Sequence, residues 1–246
     1  MIDYRDKNGN PYSQTYLKTL HNQLSAILNH AVRYYNLPSN SAAKVGNMGK
    51  KESDKEMLFW TKDEYLKFAD SMMDKPVSYY AFEMLYWCGL RIGELLALTP
   101  ADFDFDNETV NINKSYQRIG NEDVITDPKT PKSKRVIKMS SFLNEEIQDY
   151  ISSLYGVKDN MRIFPISKSY LHHEMDRGSK TANVKRIRIH DLRHSHVSLL
   201  IDMGFSAVDI ANRVGHESID ITFRYAHMFP TKQNEIANKL NMERSA

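Results

Sequence analysis

Four short stretches of the chain carry residue types whose spacing could do chemistry. Near the end, VGHESIDITFRYAH sets His216 nine residues before Tyr225, with a further histidine at 227. A tyrosine hydroxyl can attack an electrophilic centre and form a covalent intermediate. Its free pKa is about 10, so it needs a base or flanking cations to favour the phenolate. RIHDLRHSH offers both, because His190, Arg193 and His194 fall at i, i+3 and i+4 on one helical face. A histidine pair at this spacing can bind zinc. Here Arg193 projects into the same space and would repel a dication, no glutamate follows His190, and Cys88 is the sole cysteine. The face suits an anion better, since a guanidinium forks onto phosphate oxygens and a neighbouring imidazole donates or accepts a proton.

GLRIGELLAL adds Arg91 and Glu94 at i, i+3 among Leu90, Ile92, Leu95, Leu96 and Leu98. An exposed helical pair of this kind contributes only a few tenths of a kcal/mol. In apolar surroundings an arginine needs a partner, and Glu94 could hold it in one orientation. Lys129 sits in the turn PKTPKS, where nothing local separates it from Lys132 or Lys134. Two arginines, two histidines, one lysine and one tyrosine, with no metal-ligand constellation and no glycine-rich nucleotide loop, suit phosphoryl transfer at a diester without metal or cofactor. The guanidiniums would neutralise charge on the non-bridging oxygens, and a lysine would protonate the leaving oxygen.

Positioning these residues takes a mainly α fold with a small three-stranded antiparallel β-sheet. Ser13 to Asn36 reads as one amphipathic helix with a stripe of Leu17, Leu20, Leu24, Ile27/Leu28, Ala31 and Tyr35, too apolar to stand alone. The polar run after Pro38 reads as a linker. A second unit starts near Met57. Its first helix opens on a capping box, Thr61 with Glu64, and runs to about Met73; another spans Pro76 to Trp87, and RIGELLAL starts a third. ETVNINKSYQ, EDVITD and KRVIKMS then alternate as strands, with PKTPKS joining the last two. Helices are expected at 143–154, 179–186, 191–203, 206–213, 218–226 and 231–240. On 191–203 the buried stripe is Leu192, His196, Leu199, Leu200 and Met203.

Composition excludes several classes. Hydrophobic residues make up 41% and charged residues 26% of the 246, an ordinary globular balance. No apolar run nears the roughly 20 residues of a membrane span, and no signal peptide opens the chain, so a cytoplasmic protein is expected. One cysteine rules out an internal disulfide. Net charge is only +2, but five cations and no acid fall in 128–138, and six cations against Asp191 alone fall in 177–193. Two such blocks flanking the candidate site favour a polyanion-facing surface, with Lys132, Lys134, Arg135, Lys185, Arg186 and Arg188 as its candidate contacts.

The order GLRIGELLAL, PKT…S…R, HDLRHSH and GHESIDITFRYAH resembles the tyrosine recombinases, the phage and transposon integrase family, across residues 57–246. The resemblance implies site-specific recombination of a mobile element by strand cleavage and rejoining. It makes Arg91 and Arg193 the clamp on the scissile phosphate and His190 a proton acceptor or orienting donor. His216 would hydrogen-bond the phosphate. Tyr225 would form a 3′-phosphotyrosine bond and free a 5′-hydroxyl that Lys129 protonates. Glu94 takes the supporting acidic position, and His194 and His227 support the site structurally. Because the phosphotyrosine conserves the diester's free energy, no ATP or divalent metal is implied.

The family also implies partners: duplex recombination sites, a homotetramer on DNA from a monomer without it, and accessory DNA-bending proteins. The segment 230–240 could be a helix passed to a neighbouring subunit. Full-length members carry a complete helical core-binding domain before the catalytic one. Residues 1–56 read as a partial core-binding domain and linker, as in a truncated product, and 57–246 as the catalytic domain. Two rivals share the chemistry or the fold: a type IB topoisomerase, and a DNA-binding module that has lost cleavage. A metal-dependent nuclease lacks the carboxylate clusters it would need.

Overall fold

The structure is a computed structural model that describes residues 4–7, 9–49, 57–128, 130–216, 222 and 225. The expected helix at 231–240, His227, Lys129 and all but Thr222 and Tyr225 of the expected helix at 218–226 lie outside the described residues. The chain divides into two units, Met1–Met57 and Leu58–Ala246.

In the first unit, Ser13 caps α1 (Gln14–Tyr34) by accepting from the Tyr16 amide. A short α2 (Ser41–Val45) lies inside the stretch expected as linker. Asn40 explains it. Its Oδ1 accepts from the Ala43 amide to cap α2, while its Nδ2 donates to the Ser25 carbonyl and to Asn29 Oδ1 on α1. Of the apolar stripe, Leu17 is buried, whereas Leu24, Ile27 and Tyr35 are exposed.

In the second unit the capping box forms as expected, with Thr61 Oγ1 accepting from the Glu64 amide and Glu64 from the Thr61 amide. It opens α3 (Lys62–Asp70). Pro76 starts α4 (Pro76–Trp87), whose sequence is apolar nearly all round and which buries Ala81, Phe82, Met84, Leu85 and Tyr86 as the central helix. After Gly89 comes α5 (Ile92–Leu95), a single turn.

The strands depart from expectation in their partition. ETVNINKSYQ is two strands, β2 (Thr109–Ile112) and β3 (Ser115–Ile119). The break falls at Lys114, whose ammonium is held by Asp102 at 2.6 Å and by Thr99 Oγ1 at 3.0 Å. β2 lies between β1 (Phe103–Asp104) and β5 (Arg135–Lys138) in a three-stranded antiparallel sheet, with Thr109 opposite Lys138 and Ile112 opposite Arg135. β3 and β4 (Glu122–Thr126) form a separate hairpin, so PKTPKS connects two sheets instead of turning one.

The remaining elements are α6 (Ser141–Ser153), α7 (Lys168–Thr181), α8 (Asp191–Asp202) and α9 (Ala207–Val214). The expected helix at 179–186 is not there. Instead α7 begins eleven residues earlier than expected, capped by Ser167 on the Tyr170 amide, and residues 182–188 have no regular structure. Its stripe was hidden because two of the inward residues are not apolar. Glu174 is buried, neutralised by Lys75 at 2.7 Å and Arg177 at 2.8 Å. Gly178 is where α3 comes close: a Cβ there would stand 2.5 Å from Phe68 Cε2. On α8, Leu192 and His196 are buried as expected, but Met203 is 62% exposed and Ile201 takes the inward place. Among the described residues no helix is long and apolar enough to cross a membrane.

Candidate active site

The site is assembled where the start of α5, the start of α8 and the end of α9 meet. Arg91 precedes α5 and turns its guanidinium onto Glu94 Oε1 at 2.7 Å, while Glu94 Oε2 accepts from the Arg91 amide at 3.0 Å. The other end of the Arg91 fork donates to the Gly215 carbonyl at 3.1 Å. Arg193 on α8 is 2% exposed and donates to the carbonyls of Gly89, at 2.8 Å, and Val214. Both arginines are thus aimed by main-chain oxygens from the two loops that bracket the site. Gly215 is needed for this. It ends α9 at φ +67°, and a Cβ would lie 3.0 Å from both Arg135 Cδ and the Lys132 carbonyl.

Arg135, expected as a DNA contact, is instead buried within the site: its side chain is 6% exposed. It donates to both Glu94 oxygens, at 3.2 and 2.9 Å, and to the carbonyls of Arg213 and Ser133. Burial would raise the Glu94 pKa, but the hydrogen bonds and charge of Arg135, then of Arg91, outweigh it and hold the carboxylate below its usual range. Arg193 is pushed below the ordinary guanidinium value by burial first and then by the like charges of Arg91 and Arg135. Among the described residues one carboxylate, Glu94, therefore pairs within this cluster of three guanidiniums, which leaves it rich in positive charge.

Around it lie the imidazoles and the phenol. His190 precedes α8 and is exposed, with its ring edge-on to His194 at 5.1 Å. Desolvation, then Arg193, lower its pKa. His194 is hydrogen-bonded through Nδ1 to the Tyr225 hydroxyl, and burial followed by His190 pushes its pKa down to about 4. His216 pairs through Nδ1 with Thr222 Oγ1 at 2.8 Å, and burial, then Arg193 and Arg91, push it down to about 3. Tyr225 is 2% exposed and lies within electrostatic reach of Arg193. At neutral pH His194 and His216 are uncharged, so among the described residues around the phenol the arginines supply the positive charge. Among the described residues no group of three or more His, Cys, Asp or Glu is arranged to hold a metal ion. The residues flanking Lys129, Pro128 and Thr130, line a cavity of about 410 Å³ together with Arg91, Ser115 and Lys168.

The second basic block is arranged differently. Lys185 reaches Glu64 at 3.4 Å, Arg186 pairs with Asp176, and Arg188 holds Asp191 at 2.7 Å. In the first block, Lys134 pairs with Asp127 at 3.1 Å, and Lys132 is exposed. Residues missed in the sequence are Arg213, which donates to His196 Nε2 and to the Lys138 and Trp87 carbonyls, and Thr222. Arg135 had a signal: strand alternation puts it on the same face as buried Ile137.

Residues 59–232 match the profile of the phage integrase family, and the chain belongs to that family. It is 30% identical over 233 residues to the ICEBs1 integrase of Bacillus subtilis (strain 168), an alignment covering 89% of this chain and 63% of that protein. With the integrase of Staphylococcus phage L54a it shares 27% identity over 98% of this chain and 78% of the relative. The fold matches the Tn1549 transposon integrase solved with a circular intermediate DNA, at a TM-score of 0.74 and 22% identity over 96% of this chain and 80% of that one. It also matches the catalytic domain of bacteriophage HP1 integrase, at a TM-score of 0.54 and 20% identity over 76% of this chain and 96% of that domain. The chain thus spans about two thirds of the ICEBs1 integrase.

Proposed function

We propose that this protein recombines DNA at specific sites, cutting and rejoining strands through a 3′-phosphotyrosine bond to Tyr225. The observation that carries the reading is the gathering of Tyr225, Arg193 and Arg91 about one place in a chain of the phage integrase family. Arg91 and Arg193 bind the non-bridging oxygens of the scissile phosphate, and Glu94 with Arg135 fixes the first of them. His190 and His216, neutral at physiological pH, complete the hydrogen bonds to the phosphate. Lys129 protonates the leaving 5′-oxygen, from a turn whose neighbours border the cavity beside Arg91. The 5′-hydroxyl of a second duplex then attacks the phosphotyrosine, and diester free energy is conserved throughout.

The same reading gives the partners. Duplex recombination sites are bound in the cytoplasm by four copies of the chain, and residues 1–56 act as part of a core-binding domain with its linker. Accessory DNA-bending proteins complete the complex. Lys132, Lys134, Lys185 and Arg186 meet DNA phosphates. The test uses nicked duplexes with a randomised core, incubated with protein in chelator, and scores SDS-resistant protein–DNA adducts. Wild type should trap DNA and Tyr225→Phe should not. Equal trapping by both would remove Tyr225 from the reaction, and sequence-specific binding without trapping would favour a cleavage-deficient binding module.

A further inference from the structure

Beyond the family roles stands one contact that they leave unused: the hydrogen bond between His194 Nδ1 and the Tyr225 hydroxyl. We infer that His194 is the base that takes the Tyr225 proton as the phosphotyrosine forms, with Asp191 setting its tautomer. The inference rests on Tyr225 being the nucleophile.

The geometry is that of a nucleophile, a base and an orienting acid. The rings of His194 and Tyr225 lie 5.7 Å apart, tilted at 54°. On the far side of the imidazole, Nε2 stands 3.8 Å from Asp191 Oδ1. That is too long for a hydrogen bond, but the carboxylate's field favours a proton on Nε2 and leaves the Nδ1 lone pair for the phenol. Asp191 is fully buried and fixed. Its Oδ2 accepts from the Arg188 amide at 2.8 Å, and the Arg188 guanidinium grips Oδ1 at 2.7 Å. His190, one turn earlier, meets His194 edge-on. The charged and titratable groups facing His194 among the described residues are therefore Asp191, Arg188, His190, Arg193, His216 and Tyr225.

Burial and the surrounding cations keep the imidazole neutral in the free protein, so the lone pair is available. A bound phosphodiester places an anion among those cations and raises the basicity of the ring when it is needed. In the step itself, Tyr225 Oη bonds to phosphorus and the bond to O5′ breaks. The phenolic proton moves to His194 Nδ1, and the departing O5′ takes a proton from the general acid to leave as a hydroxyl. Rejoining reverses every transfer, with the imidazolium returning its proton to Oη. His190 is left to the phosphate.

The experiment compares wild type, His194→Ala and His194→Asn on a nicked duplex selected as above. Asparagine keeps an acceptor near the Nδ1 position but is not a base. Both variants should form adduct at least about 100-fold more slowly, with unchanged DNA affinity, and added imidazole should restore part of the rate in His194→Ala. A wild-type-like rate in His194→Asn overturns the assignment of the base while leaving Tyr225 as nucleophile. Absence of adduct in wild type overturns both. Independently of DNA and of how the variants fold, long-range nitrogen–proton spectra of the free wild-type protein should show His194 as the Nε2–H tautomer. An Nδ1–H tautomer overturns the inference.

Discussion

At Arg91, Arg135 and Arg193 the guanidiniums face inward, onto one carboxylate and the carbonyls of Gly89, Val214 and Gly215. At Lys185, Arg186 and Arg188 the cations face outward onto Glu64, Asp176 and Asp191, with side chains 48%, 39% and 72% exposed. Both groups are arginine-rich, yet the first is held by a buried carboxylate and by main-chain carbonyls from distant loops, the second mainly by single acidic side chains. A cation fixed in a partly desolvated site needs no reorganisation when an anion arrives, and that preorganisation is the main electrostatic source of catalysis. An exposed ion pair contributes at most about 1 kcal/mol, so its cation can exchange an acid for a phosphate at little cost. Arg188 stands between the two, exposed itself but clamping a buried acid.

The largest effect that separates the two regions is on stability. Glu94→Ala leaves Arg135 buried without counter-charge, which should cost about 3–5 kcal/mol and lower the melting temperature by on the order of 10 °C. Adding Arg135→Met should recover part of this, since it removes the stranded charge. A Glu94→Ala protein that melts with wild type would mean the inward cluster is no more coupled than the surface pairs. Next is a catalytic effect. A lysine at position 193 cannot reach the Gly89 and Val214 carbonyls with one forked group, so Arg193→Lys should slow adduct formation at least about 100-fold with little change in DNA affinity.

The inward cluster also predicts a pH dependence. Folding holds His194, His196 and His216 at pKa values of about 4, 3 and 3, depressed by burial first and then by neighbouring cations and His190, against about 6.5 unfolded. Between these values the unfolded chain binds more protons, so stability is full above pH 6.5 and falls as pH drops toward 4. Buried Glu83, which accepts from the Tyr65 hydroxyl at 2.6 Å, has the opposite sign. Its pKa is raised to about 7, chiefly by burial, so its contribution is lost as pH rises from about 4.3 to 7. Three groups outweigh one. Urea unfolding should show a net loss on the order of 4 kcal/mol from pH 6.5 to 4.5, steeper in Glu83→Gln.

The smallest effect belongs to the surface. Lys185→Ala with Arg186→Ala should leave the adduct rate at saturating DNA unchanged and make the salt dependence of binding shallower by about one to two phosphate contacts. A fall in the saturated rate would assign these residues to the site itself.

Much of this organisation was legible in the sequence. The capping box at Thr61, the proline start of α4 and the serine start of α9 are local signals, and local bonds satisfy them. The pairing of Arg91 with Glu94 followed from spacing and apolar company. What stayed hidden depends on contacts far apart in the chain. Arg135 reads as one more cation in a basic block because its partner Glu94 is 41 residues away. The start of α7 is hidden in the sequence because a buried, neutralised Glu174 looks polar there. The separate hairpin of β3 and β4 does not show in the sequence, because alternation gives each strand a face but not a partner.

The central claim is that a tyrosine in an arginine-lined site becomes covalently joined to DNA. Its most direct test is to digest the adduct trapped on a nicked duplex in chelator and identify the modified peptide by mass spectrometry. The account predicts a nucleotide-bearing peptide from 214–227 with the phosphate on Tyr225. A phosphate on any other residue, or cleavage that leaves no adduct and requires added divalent metal, would contradict it.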